Sequence, residues 1–255
     1  MPRYLLVLEY DGAPFVGWQR QQRGLSVQEA LEKAVFAFCG ERATATAAGR
    51  TDAGVHALAQ VVHLDLAREF PPERVMGALN AHLAPHPVAV LEARRVEEDF
   101  HARFSALERR YLYRILNRRA PPALLRGRVW HVIGRLDVEH MQEAASRLLG
   151  RHDFSSFRAA ECQARSPLRT LDRLWVERRG EIVEVHAAAR SFLHRQVRNM
   201  VGSLVLVGLG RRPVAWIEEV LAARDRRRAG PTAPAAGLYF AGVRYPGLAF
   251  TASPG

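Results

Sequence analysis

The sequence predicts an α+β fold, and two observations carry that prediction. Apolar runs of strand length alternate with segments whose apolar residues recur at helical spacing, and the order β-α-β-β-α-β is met in the first half of the 255 residues and again in the second. In the first half, Tyr4 to Tyr10 is an apolar run closed by Asp11-Gly12, as in a buried strand ending at a turn. Ser26-Val27-Gln28-Glu29 then forms a capping box, and Val27, Ala30, Leu31, Ala34, Val35 and Phe38 continue at helical spacing as far as Gly40. Residues 42–48 and 58–66 read as strands around a glycine-bounded loop. Pro71-Pro72 opens a second helix that runs to about Leu83, and Val88 to Val96 supplies the closing strand.

The second half runs strand 107–117, helix 137–149, strands 170–178 and 181–189 about Arg179-Gly180, helices 191–208 and 214–223, and strand 238–244. Two ferredoxin-like βαββαβ halves are therefore expected, 1–104 and 105–246, with an irregular tail over 247–255. Such halves are expected to meet at a central cleft, the preferred kind of place for a ligand.

Composition narrows the function. At 48% hydrophobic and 25% charged residues the chain is an ordinary globular one, which excludes disordered, collagenous and disulfide-rich classes. Thirty-seven basic against twenty-six acidic residues leave a formal charge of +11, a field that concentrates polyanions. Lys33 is the only lysine; coding bias accounts for arginine over lysine but not for the excess of bases over acids. Cys39 and Cys162 have no metal or disulfide spacing. Glu9 and Asp11 come too early for a secretory segment, and no apolar run approaches the ~18 residues of a membrane span. A soluble, cytoplasmic protein is expected.

Three places hold chemistry-bearing residues. Gly49-Arg50-Thr51-Asp52-Ala53-Gly54-Val55-His56-Ala57 sets a carboxylate between glycines that let a ligand approach the backbone, although a hairpin-turn aspartate bonding its own backbone fits the same residues. Arg109-Arg110-Tyr111-Leu112-Tyr113-Arg114 alternates tyrosines with arginines, and eight arginines fall between Arg103 and Arg128, a pattern suited to a backbone-tracking groove beside a stacking surface or to a solvated edge over core tyrosines. Arg198 flanks the apolar stripe of Leu193, Val197, Met200, Val201, Leu204 and Val205, placed either to snorkel or to pair with Asp52. His56, His63 and His194 lack metal-type spacing and read as structural.

At these residues the chain resembles the tRNA pseudouridine synthase A (TruA) family. The resemblance spans nearly the whole length through YDGAPFVGWQRQ at 10–21, GRTDAGVHA at 49–57, FHARFSALERRYLYRILN at 100–117, HDFSSFR at 152–158, FLHRQVRNMVG at 192–202 and GLYFAGVRYP at 237–246. It implies the pseudouridine synthase fold, isomerisation of uridine at positions 38, 39 and 40 of the tRNA anticodon stem-loop with flipping of the target base, a homodimer, and no cofactor or metal. The family's nucleophilic aspartate falls on Asp52, its active-site tyrosine on Tyr111, its aspartate-pairing arginine on Arg198, and the arginine that displaces the base on Arg50. Tyr111, Arg109 and Arg114 are the further expected contacts to RNA. Two rivals remain. A catalytically silent RNA-binding module has no use for a carboxylate between glycines, and a retaining glycosidase needs a second carboxylate at matched distance.

Overall fold

The computed structural model describes residues 1–251 and divides into two compact units, Met1–Arg109 with Tyr239–Gly255 and Arg110–Leu238. In the first unit, β1 (Arg3–Tyr10) lies between β3 (His56–Asp65) and β4 (Val88–Val96), antiparallel to both. Leu5, Leu6, Val7 and Leu8 are buried in succession, the pattern of a central strand covered on both faces. α1 (Val27–Cys39) begins where Ser26 Oγ accepts the Glu29 N–H at 3.1 Å and ends at Gly40 in the left-handed conformation, a cap worth about 1 kcal/mol. α2 (Pro72–Leu83) buries Val75, Leu79 and Leu83.

Three features differ from the expected first half. The strand over 42–48 contracts to β2 (Thr46–Ala47), paired with His63 and Val62 of β3. The boundary lies at Arg109/Arg110, and the segment from Tyr239 belongs with the first unit instead of the second. It does so because β10 (Leu238–Tyr245) adds to β3 in parallel, Tyr239 opposite His56 and Phe240 opposite Ala57, while the Leu107 N–H donates to the Arg244 carbonyl. Part of the expected irregular tail is also ordered. Pro246 and a left-handed Gly247 turn the chain into β11 (Leu248–Thr251), antiparallel to β10, with Phe250 buried. The rest of that tail, 252–255, lies outside the described residues.

In the second unit, β5 (Glu108–Leu116), which opens at the boundary, neighbours β9 (Ile182–Ala189), which pairs with β8 (Leu168–Arg179) across a turn at Gly180. Two short strands escaped the sequence: β6 (Trp130–His131), parallel to β5, and β7 (Gly150–Asp153), antiparallel to β8. α3 (Val138–Ser146) stops before the expected 149, so that Gly150, at φ +95°, can start β7. α4 (Gln196–Gly208) begins five residues after the expected start, because Arg195 takes a left-handed conformation and the Gln196 side chain reaches back to accept the Leu193 N–H at 2.8 Å. α5 (Trp216–Ala223) follows.

Candidate active site

In the first unit the loop between β2 and β3 is anchored at each turn. Gln60, fully buried, holds Gly49 by donating from Nε2 to its carbonyl at 2.7 Å and accepting its N–H at 3.4 Å. Gly49 also packs on the Phe240 ring, where a Cβ would come within 2.8 Å of Cε2. Buried Thr51 shares a hydrogen bond with the Tyr10 hydroxyl at 2.7 Å, and burial pushes the Tyr10 phenol up to about 12. The Thr51 carbonyl accepts the Trp18 N–H at 2.9 Å, and Gly17 bridges to Asp52 itself. Gly17 has φ +108°, and a Cβ there would lie 2.7 Å from the Thr51 carbonyl, so only glycine admits this approach.

The Asp52 carbonyl accepts the Val55 N–H at 3.1 Å, closing a turn with Gly54 left-handed. His56 Nδ1 accepts the Gly12 N–H at 3.1 Å and its ring stacks on Tyr239 at 4.8 Å, so this histidine serves the scaffold. The motifs 10–21 and 49–57 therefore interlock. Between fixed neighbours Thr51 and Val55, Asp52 is half-buried and Arg50 is exposed. Arg109 also lies in this unit, its Nε donating to the Ala48 carbonyl at 2.8 Å and its Nη2 to the Arg103 carbonyl.

The second unit places Tyr111 on β5 and Arg198 in the first turn of α4. The Tyr111 ring meets Phe192 edge-on, centroids 5.1 Å apart. Arg198 is half-buried; its Nε donates to the Ala233 carbonyl at 2.7 Å, and the Ala233 N–H returns to the Arg198 carbonyl at 3.1 Å. The adjoining Pro234 carbonyl accepts the Tyr113 hydroxyl at 2.8 Å, and burial raises that phenol above its ordinary range. Ala233-Pro234 thus ties the strand bearing Tyr111 to the helix bearing Arg198.

The segment around Ala233-Pro234 is itself laced to α4. Thr232 Oγ1 donates to Asn199 Oδ1 at 2.7 Å, the Gly230 N–H donates to Ser203 Oγ at 2.9 Å, and Arg226 bonds Asn199, Thr232 and the Gly230 carbonyl. Gly202 makes the contact possible, since a Cβ there would stand 1.7 Å from the Pro231 carbonyl. Asn199 Nδ2 donates to the Phe157 carbonyl, which brings the 152–158 motif to the same helix. Sequence reasoning passed over 225–237, although a glycine inside a helical pattern is a signal of close backbone approach.

Arg114 lies with Glu184, Nε to Oε1 at 3.0 Å. Glu177, Glu184 and His186 bring their ligand atoms within 4.8 Å of one another, a grouping with metal-binding residue types. Arg114 and Arg179 direct guanidinium nitrogens at these carboxylates, Arg179 lying 3.0 Å from Glu177 and 3.6 Å from Glu184. The charges are therefore met by cations of the protein, and the group is an ion-pair network whose His186 ring stacks on Trp175.

With this geometry in place, comparison with known proteins gives a consistent result. The chain belongs to the tRNA pseudouridine synthase family, whose profile matches residues 6–105 and 144–246. A Rhodospirillum centenum protein named tRNA pseudouridine synthase A is 64% identical over 245 residues, covering 96% of this chain and all of that one. Proteins of the same name from Paramagnetospirillum magneticum and Methylobacterium nodulans are each 62% identical, over 96% and 99% of this chain and the same shares of their own. The family assignment makes the chain an isomerase that converts uridine to pseudouridine in tRNA. Among the described residues, no helix is long and apolar enough to cross a membrane.

Proposed function

We propose that this isomerase acts at positions 38, 39 and 40 of the tRNA anticodon stem-loop, with Asp52 as nucleophile. The supporting observation is the loop that carries Asp52: anchors at Gly49, Thr51 and Val55 fix its backbone while Asp52 stays partly open to solvent. A nucleophile held in place before substrate arrives is the arrangement that lowers the orientational part of a barrier.

In the reaction the C1′–N1 bond breaks, the uracil turns, C5 bonds to C1′, the C5 proton leaves and N1 gains a proton. Atoms and electrons balance with no outside oxidant or reductant. Asp52 adds to the ring at C6, attacks C1′, or assists loss of the C2′ proton. Arg50, exposed beside it, displaces the target base; unstacking costs a few kcal/mol. Tyr111 stacks on the displaced uracil, returning about 1 to 3 kcal/mol, and its hydroxyl serves the proton transfer. Arg198 takes part in catalysis, and Arg109 and Arg114 belong to the RNA-binding surface. The enzyme works as a cytoplasmic homodimer without metal or cofactor.

The test uses anticodon stem-loops carrying a single uridine, labelled with tritium at C5, at position 38, 39 or 40. Release from each supports the proposal. Binding without release is the outcome of a silent RNA-binding module, and release from a control RNA labelled at another uridine but from none of these three refutes the assigned positions.

A further inference from the structure

We infer that the Phe104 ring, with Arg103 beside it, is a stacking platform for one unpaired nucleobase of the RNA substrate, separate from the base that reacts. The inference rests on the reading of the protein as an RNA isomerase. Phe104 is 72% exposed, more than any other phenylalanine, tryptophan or tyrosine among the described residues. A single exposed apolar side chain is ordinary on a protein surface. What sets this one apart is how it is held.

The turn that presents it is closed on itself. The His101 N–H donates to Ser105 Oγ at 3.0 Å and the Ser105 N–H to the His101 carbonyl at 2.9 Å. His101 Nδ1 accepts the N–H groups of both Arg103 and Phe104, at 3.1 and 3.2 Å. The Phe104 ring lies 4.3 Å from the His101 ring, which lies 4.7 Å from that of buried His63. An exposed ring is thus backed by a tier of rings running into the core, and its freedom is largely spent before any ligand arrives.

Charge and position complete the argument. The exposed Arg103 guanidinium stands 5.7 Å from the Phe104 centroid, the pairing of cation and aromatic face that suits a base and its phosphate. Arg109 holds the Arg103 carbonyl and the Ala48 carbonyl with one guanidinium. Ala48 immediately precedes the Gly49–Asp52 loop, so the platform and the nucleophile's loop are bolted to the same side chain within one unit. A nucleotide seated on Phe104 would hold the strand while another is turned toward Asp52.

The experiment compares Phe104→Ala, Phe104→Leu and Phe104→Trp for affinity to a fluorescein-labelled anticodon stem-loop and for tritium release from the same RNA. Loss of one base–aromatic stack predicts weakening of binding and a rise in KM of about 10- to 100-fold for Ala and for Leu, with Trp at or above the parent. A scan of single abasic sites in the RNA should find one nucleotide whose removal weakens the parent but not the Ala variant. Leu binding as well as the parent overturns the proposal, since apolar bulk then suffices. An Ala variant that keeps RNA affinity while a dimer dissociates in sedimentation overturns it too, by making Phe104 a contact between copies. A parent that releases no tritium overturns the isomerase reading instead, and the affinity arms then still decide the platform.

Discussion

Replacing His63 by glutamine tests how the 100–105 turn is built. His63 is 6% exposed, and its Nδ1 accepts the Ala102 N–H at 3.1 Å, a bond only the neutral ring can make. Burial, with lesser contributions from His101 and Arg3 and opposed by Asp65, pulls the imidazole down from 6.5 to about 4. The folded state therefore resists protonation over a range in which the unfolded chain accepts it. This contribution to stability is complete above about pH 6.5 and is lost as the pH falls toward 4, to a limit of about 3 kcal/mol. Glutamine can accept from the Ala102 N–H but carries no titrating group. Urea unfolding of parent and variant should give a gap that narrows by about 2 kcal/mol between pH 7 and pH 4.5, the acidic groups common to both cancelling in the difference. A gap that stays constant across that range would refute the reasoning.

The remaining predictions concern catalysis. Gly17→Ala drives a Cβ onto the Thr51 carbonyl and should lower kcat/KM by about 10²-fold through displacement of the Asp52 loop, read by tritium release; parent-level activity counts against the loop as the positioning element. Tyr111→Phe should bind tRNA as the parent does and turn over at least about 10²-fold more slowly, with Tyr111→Leu worse; if Phe keeps the rate and Leu does not, the tyrosine acts through its ring alone. Activity should survive exhaustive dialysis against a chelator, since guanidinium groups already meet the Glu177 and Glu184 carboxylates; a strict divalent requirement in the chemical step would contradict this.

Much of this architecture was written in local pattern. The Ser26 capping box, the Gly40 stop and the Arg179-Gly180 turn are decided by residues within a few positions of one another, and each appears where its chemistry puts it. Elements fixed by distant partners were hidden. β10 joins β3 through contacts nearly two hundred residues apart, and β6 and β7 are too short to carry a period. The start of α4 depends on one left-handed arginine. At the site, the residues of reactive chemical type stood out as types, but their supports did not. Gln60 acts through a side-chain amide in the middle of a strand, whose partner eleven residues away no local pattern marks, and the Ala233-Pro234 segment acts through backbone carbonyls that any sequence supplies.

The central claim is that Asp52 is the nucleophile on a loop the rest of the unit holds in place, and turnover of Asp52→Asn on C5-tritiated tRNA tests it most directly. The substitution exchanges one carboxylate oxygen for an amide nitrogen and leaves the anchors at Gly49, Thr51 and Val55 untouched. The account predicts tRNA affinity close to the parent's and a loss in turnover of about 10⁴-fold or more. Residual turnover within tenfold of the parent, at undiminished affinity, would contradict it.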